Sequence, residues 1–185
     1  TFVGANAGLG GNSSAPFSSG GSNVAVGYDS LHKFTTGGNN VSIGHSANYE
    51  LTTGNYNVAV GKSANYRNQT GTDNTAIGRE AMFGVNGNSH SNNVAVGSLS
   101  LYGITTGGSN IGVGVRAGQS LTTSSGSVFI GHYAGQNATT ANGSVGIGYE
   151  ALQSKTGGVS VGIGYQAGKA ETNPGNFGSV YIGYK

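Results

Sequence analysis

The sequence predicts an all-β fold: a parallel β-solenoid of about ten 17-residue coils that takes up residues 1–185 as a single repeat array. Two observations support this prediction. A motif of the type Asn-Val-Ala-Val-Gly, as in residues 57–61, recurs along the whole chain, most often at a spacing of about 17 residues. Within the motif, β-branched residues alternate with small ones, which is the period-two signal of a β-strand.

The motif copies align on their last residue, which we call the marker glycine. Self-similarity at a fixed spacing is typical of stacked repeats and argues against disorder, which 37 glycines in 185 residues would otherwise favour. Both ends of the chain lie at motif copies, so we expect a piece of a longer fibre. A truncated copy ends at Gly4, and the others end at Gly27, Gly44, Gly61, Gly78, Gly97, Gly114, Gly131, Gly148, Gly164 and Gly183.

Valine or isoleucine stands one and three residues before most markers, and we expect these side chains to fill the interior of each coil. The small residue between them, such as Ala25 or Ala59, should lie where another wall or a partner chain comes close; Phe129 and Tyr181 depart from this rule. The predicted solenoid core is Val24, Val26, Val41, Ile43, Val58, Val60, Val94, Val96, Val161 and Ile163.

The positions around the strand predict corners. Asparagine, later replaced by serine, stands four residues before the marker, where stacked amides can bond to each other as a ladder. The marker glycine itself should have a positive φ or a close backbone neighbour. A small residue three positions after the marker predicts a second, shorter strand, and a Thr-Thr-Gly sequence such as residues 52–54 predicts a second turn.

A coil of this length has little interior, and about ten coils at about 4.8 Å each make a rod about 50 Å long. We expect self-association as a homotrimer that buries the small-residue face; a monomeric solenoid is the alternative. The spacing is longer before Gly27, Gly97 and Gly183, and one residue shorter before Gly164. The added segments, around residues 13–17, 85–90 and 172–176, are either binding loops or neutral drift.

Composition excludes several classes of function. Charged residues make up only 8% of the chain and the net charge is +2, which is too weak for nucleic-acid binding. Without cysteine there is no disulfide or thiolate metal site, and no apolar run is long enough for membrane insertion by this segment. His45 and His132 share a repeat position but lie five coils apart, about 24 Å. The six acidic residues form no acid–base pair, so we predict a protein that is not an enzyme and needs no metal or cofactor.

Two columns of aromatic residues are candidate ligand contacts, because aromatic rings stack on one another and on sugars. The first column lies five residues after the marker and begins with His32; the alternative is that its rings pack between chains or cap the core edge. The second lies one residue after the marker and should face water or a trimer groove. The candidate contacts are Tyr49, Tyr66, Phe83 and Tyr102 in the first column, and Tyr149, Tyr165 and Tyr184 in the second.

Two further columns are polar. Lys33, Glu50 and Arg67 alternate in sign on successive coils, which predicts a surface charge ladder. A column of threonines raises ice binding as another function. Its adjacent Thr-Thr pairs argue against that function, because an ice-facing strand would show Thr-x-Thr.

The repeated Asn-Val-Ala-Val-Gly motif resembles the left-handed β-roll head of trimeric autotransporter adhesins. With the sequence Leu-Thr-Thr-Gly at residues 51–54 leading into it, the motif also resembles repeats of phage tail fibres. The resemblance covers nearly the whole chain and implies a trimeric, extracellular rod that attaches to a surface through a host glycan or protein receptor. The period of 17 and the Thr-Thr-Gly turn favour a phage tail fibre or spike on the virion surface. The alternative is the head of a bacterial cell-surface adhesin that binds matrix protein or glycan.

Overall fold

The computed structural model describes residues 1–10, 19–170 and 178–185, and in this part of the chain it contains eleven short strands and no helix. The strands form one parallel sheet in which they follow one another in sequence order. They are β1 (Phe2–Val3), β2 (Val24–Val26), β3 (Val41–Ile43), β4 (Val58–Val60), β5 (Thr75–Ile77), β6 (Val94–Val96), β7 (Ile111–Val113), β8 (Val128–Ile130), β9 (Val145–Ile147), β10 (Ser160–Ile163) and β11 (Ser179–Ile182). The predicted all-β parallel β-solenoid is confirmed.

The register between strands places identical motif positions side by side. Val41 pairs with Val58 and Ile43 with Val60, and the same alignment continues from β1 to β11. Each repeat position therefore forms a straight column along the stack. The burial and chemistry of one motif position therefore extend along a whole column of the surface.

The predicted second strand after the marker is wrong. The chain makes consecutive turns there, because residues two and four positions after the marker have left-handed φ angles, such as 56° at Ser46 and 50° at Asn48. Backbone amides on this side still bond between coils: Ser46 N donates to Tyr28 O at 2.9 Å, and Asn48 N donates to Ala64 O at 3.0 Å. The spacing of small residues indicated contact with the interior, and a turn segment satisfies that contact as well as a strand does.

The predicted core is also wrong in its orientation. The small middle residues, such as Ala25 and Ala59, are fully buried, whereas the β-branched residues on either side of them point out of the coil. Val24, Val26, Val41, Val58, Val60, Val94, Val96 and Val161 are half-buried, and Ile43 and Ile163 are each 39% exposed. Period two shows which residues share a face, but not which face is inward.

The thin interior explains this orientation. A Cβ added to Gly112, at the middle position of β7, would lie 2.6 Å from Ser100 Oγ and 2.9 Å from Leu101 Cγ. An interior this narrow accepts alanine, glycine or serine from the strand. Apart from Phe129 on β8, most of the large buried apolar side chains come from the turn side: Leu31, Leu51, Met82, Leu101, Ile104, Leu121 and Leu152.

Phe129 is fully buried at a position that is small in most coils. Its ring occupies space left by glycines: a Cβ on Gly135 would lie 2.3 Å from Phe129 Cδ1, and a Cβ on Gly146 would lie 2.9 Å from the same atom. Phe2 and Tyr181 have the same relation to Gly8 and Gly168. An aromatic residue at the inward strand position is therefore matched by glycine on the facing turn.

The predicted corners are confirmed. Asn40 Nδ2 donates to Asn23 Oδ1 at 3.2 Å, and Asn57 N donates to Asn40 Oδ1 at 2.9 Å, so the asparagines form a buried ladder. Gly61 has a φ of 133°, and its Cβ position lies 2.6 Å from Gly78 O. The marker glycines thus have both the positive φ and the close backbone neighbour. Of the added segments, those at residues 13–17 and 172–176 lie outside the described residues.

Candidate contact surface

The coil has two opposite sides that bear different columns. On the strand side, the Val/Ile face consists of the residues one and three before each marker. On the turn side lies the column five residues after the marker. Ser30 Oγ, on the turn side, donates to the strand carbonyl Ser42 O at 2.8 Å across the interior. The strand side and the turn side therefore lie on opposite surfaces of each coil, separated only by its narrow interior.

The aromatic ladder, His32, Tyr49, Tyr66, Phe83 and Tyr102, is a continuous stack on the turn side. Its ring centroids are 5.0–5.2 Å apart and the planes of neighbouring rings lie within 9° of parallel. All five side chains are half-buried. Burial, followed by the nearby Tyr49 and Glu50, raises the pKa of Tyr66. The column continues as a glutamine ladder, in which Gln136 Nε2 donates to Gln119 Oε1 at 3.2 Å.

The stacking changes how this ladder could meet a ligand. Van der Waals contact takes about 3.5–4 Å between atoms, so a sugar ring cannot enter a gap of 5.0 Å between two parallel rings. Neighbouring rings already cover both faces of Tyr49, Tyr66 and Phe83. The ring edges and the tyrosine hydroxyl groups are left for contact, so the ladder suits hydrogen bonding at its rim.

The neighbouring charged column lies against the same rings. Lys33 Nζ is 3.1 Å from Glu50 Oε1 and 5.1 Å from the centre of the Tyr49 ring. Arg67 lies 5.1 Å from the Phe83 centroid, a cation–π distance. The predicted charge ladder is present between Lys33 and Glu50, while Arg67 turns to the aromatic rings.

The added segment before Gly97 borders this surface. Residues 85–87 and 89 are exposed, and Arg67 Nη1 donates to Asn86 Oδ1, which joins the loop to the ladder. His90 anchors the loop from inside: it is fully buried, its Nδ1 is 3.3 Å from Asn74 Oδ1, and burial lowers the pKa of His90 to about 4. Sequence reasoning did not single out His90, although its column is glycine in neighbouring coils.

The second aromatic column lies elsewhere, at the edge of the Val/Ile face. Tyr149 and Tyr165 stack at 5.2 Å and Tyr165 and Tyr184 at 5.0 Å, and all three are exposed. Lys169 Nζ and Gln166 Nε2 donate to Glu150 and lower the pKa of its carboxyl, and Glu150 in turn raises the pKa of Tyr149. The structure does not bring the two predicted aromatic columns together.

The Val/Ile face is a continuous apolar feature of the described surface. Its residues continue from strand to strand in register, and within the described residues no second layer covers them. Isoleucine side chains on five strands are 37–39% exposed: Ile43, Ile77, Ile111, Ile130 and Ile163. Soluble monomers rarely expose a contiguous apolar patch larger than a few hundred Å².

The threonine pairs divide into two columns. The first threonine bonds to the next coil: Thr52 Oγ1 donates to Gln69 O at 2.9 Å, and Thr105 Oγ1 donates to Thr122 O at 3.0 Å. In most pairs only the second threonine, as at Thr53 and Thr106, is exposed; at Thr139 and Thr140 both are exposed. A single exposed column does not make the two-dimensional hydroxyl array on which the ice-binding hypothesis depends.

Comparison with known proteins identifies no relative: no family model, curated protein or solved structure matches this chain. Within residues 1–10, 19–170 and 178–185, no group of three or more His, Cys, Asp or Glu lies close enough to hold a metal ion. Over the same residues, no helix is long and apolar enough to cross a membrane.

Proposed function

We propose that this chain is a non-enzymatic, structural and surface-attaching segment of a homotrimeric extracellular fibre. The observation that supports the proposal is the exposed Val/Ile face. It runs along all eleven strands, about 50 Å at the parallel-strand spacing. Burying this face against copies of itself removes the apolar surface from water.

The face that association buries differs from the one expected from the sequence. The small-residue column lies inside each coil and needs no partner chain. Three parallel chains that turn their Val/Ile faces toward a shared axis would instead form a second apolar core between them. Closed cyclic symmetry gives every chain the same environment and leaves no unpaired apolar surface along the rod.

The kind of particle or cell that carries the fibre is proposed from the motif resemblance. A phage tail fibre or spike that contacts the host surface is the first candidate, and the head of a bacterial trimeric adhesin is the alternative. Both are extracellular, on the virion surface or the bacterial cell surface. Both use a rod to hold contact residues away from the particle or cell.

The oligomeric state tests this proposal. We expect multi-angle light scattering at micromolar concentration to give three times the 18.3 kDa mass of one chain. A mass of 18.3 kDa would remove the support for the fibre. A mass of two chains would contradict the threefold arrangement.

The receptor contact in this proposal lies on the turn side, which faces outward once the Val/Ile face is at the axis. The rim of the aromatic ladder offers tyrosine hydroxyls and the Lys33 and Arg67 cations, and it borders the loop whose residues 85–87 and 89 are exposed. This combination suits a hydroxyl-rich or acidic ligand, such as a host-surface glycan, or a protein receptor with similar groups.

A glycan array tests this contact with a conservative variant. Tyr49→Phe combined with Tyr66→Phe keeps both stacked rings and removes two hydroxyl groups, so we expect at least a tenfold loss of glycan binding, about 1.4 kcal/mol. Tyr149→Phe combined with Tyr165→Phe is the matched control and should bind as the wild type does. Equal binding by all three proteins would rule out the ladder as the contact.

A further inference from the structure

We infer that neighbouring chains of this trimer meet edge to edge in register. The residue one position after each marker glycine packs against the residue five positions before the same marker in the next chain. We call these columns the following edge and the preceding edge. The inference rests on the proposed homotrimer and specifies which side chains join its subunits.

The two edges flank the Val/Ile face on opposite sides. The strand and its asparagine occupy the four positions before the marker, so the preceding edge lies just outside one end of the strand and the following edge just outside the other. Nearly every described residue in both columns is exposed. In a closed ring each contact is head to tail, so the following edge of one chain meets the preceding edge of the next. Rotational symmetry about the rod axis puts identical coils at the same height.

The cations of the following edge have complementary partners on the preceding edge in two adjacent coils. In the coil whose marker is Gly78, the following edge has Arg79 and the preceding edge has Asp73. Both are exposed, and the Asp73 carboxylate forms no ion pair within the described part of the chain, while Arg79 Nη1 is 3.5 Å from Glu80 Oε1. In the coil before it, the cation Lys62 corresponds to Tyr56, which is 60% exposed and whose ring suits a cation–π contact.

The sizes of the side chains are complementary as well. Ring side chains on the following edge correspond to glycine or a small polar residue on the preceding edge. The exception is Tyr165, which corresponds to Val159 in the coil that is one residue short. The matched pairs are Tyr28 with Ser22, His45 with Asn39, His132 with Gly126, Tyr149 with Gly143, and Tyr184 with Gly178.

The backbone of the single chain does not explain these glycines. Gly126 and Gly143 have φ angles of 70° and 65°, close to the 58° that Tyr56 and Asp73 adopt with full side chains. Among the described residues, a Cβ at Gly126 would meet no atom within 4 Å, and at Gly143 it would meet only Val159 Cγ2 at 3.9 Å. Because the described chain leaves this space open, the match to the bulky residues points to a neighbouring chain as its occupant.

A cysteine pair tests the contact directly, since the natural chain contains no cysteine. Ser109→Cys and Val115→Cys place one thiol on each edge of the coil whose marker is Gly114. Both positions are exposed, and each native side chain is similar in size to cysteine. We expect a short bis-maleimide to join this double variant into a covalent trimer. Ser109→Cys with Ser120→Cys is the control, because Ser120 lies on the turn side; it should stay a single chain in a denaturing gel.

Each outcome distinguishes this inference from the proposed trimer. A double variant with the mass of three chains in solution but no covalent trimer would overturn the edge pairing and leave the trimer standing. Dimers formed by Val115→Cys alone would also overturn it, because like edges would then meet. A monomeric mass would overturn both. If the first pair fails to fold by circular dichroism, Asn92→Cys with Ser98→Cys tests the same contact one coil away, with the same expected result.

Discussion

We expect Phe129→Ala to lower the free energy of unfolding by about 3–5 kcal/mol, the usual cost of truncating a buried phenylalanine. Phe129 is fully buried, and the residues facing it, Gly135 and Gly146, have no side chains that could close the cavity. Urea unfolding followed by circular dichroism at one protein concentration measures the loss, because the stability of an oligomer depends on concentration.

A second substitution shows that size matching is the cause. Gly135→Leu alone should also destabilise, since its Cβ would lie 2.3 Å from the Phe129 ring. The double variant recreates the pairing of Ala95 with Leu101, where leucine has a φ of 47° against 58° at Gly135. We expect the double variant to be more stable than either single one, with a coupling free energy of about 0.5–3 kcal/mol. Additive losses would contradict the matched packing.

We expect Gly61→Ala to destabilise the solenoid by more than about 3 kcal/mol. Its φ of 133° strains any residue with a Cβ by about 1–3 kcal/mol, and the new methyl group would lie 2.6 Å from the Gly78 carbonyl oxygen. The neighbouring atoms are backbone and belong to the next coil, so the stack itself would have to move apart. The loss of unfolding free energy in urea measures this effect.

Gly87→Ala is the control for backbone strain alone. Gly87 has a φ of 77°, and among the described residues a Cβ there would meet nothing within 4 Å. We expect a cost of about 1–2 kcal/mol, which is the penalty for a left-handed residue. If the two variants lost equal stability, close stacking of the marker glycines would not be what makes them necessary.

The repeat period was sufficient to predict the architecture. A motif that returns about every 17 residues cannot bury its apolar side chains alone, so stacking and a parallel register follow. The asparagine ladder and the marker glycine were also predictable. Each has a local chemical requirement that repeats in every coil: a buried amide that needs partners at Asn57, and a positive φ at Gly61.

The orientation of the strand was not predictable from its alternation. Val58 and Val60 share one face and Ala59 occupies the other, but only the width of the coil decides which face is inside. That width depends on the residues of the turn side, such as Leu101 and Ala117, whose small-residue spacing also fits a strand although they form turns. The signal that could have corrected the prediction was Gly112, since an inward position rarely needs to be smaller than alanine unless the interior is narrow.

The sequence predicted the aromatic columns, but not the geometry of their rings. The sequence showed that Tyr49, Tyr66 and Phe83 would be neighbours on successive coils. It did not show that their faces would cover one another at 5.0–5.1 Å, which leaves the rim for a ligand. The contact of Arg67 with Phe83 depends on a side-chain rotation that a column of charges does not specify.

The most direct test of the account is the solution mass of a variant with charges on the Val/Ile face. We expect Ile43→Glu, Ile77→Glu and Ile130→Glu together to give a monomer that keeps the wild-type β-sheet circular dichroism, while the wild type has three times the 18.3 kDa mass of one chain. The reason is that these side chains point out of the coil and would be buried only between chains. A triple variant that remains trimeric, or one that unfolds as though charges had entered the coil interior, would contradict the account.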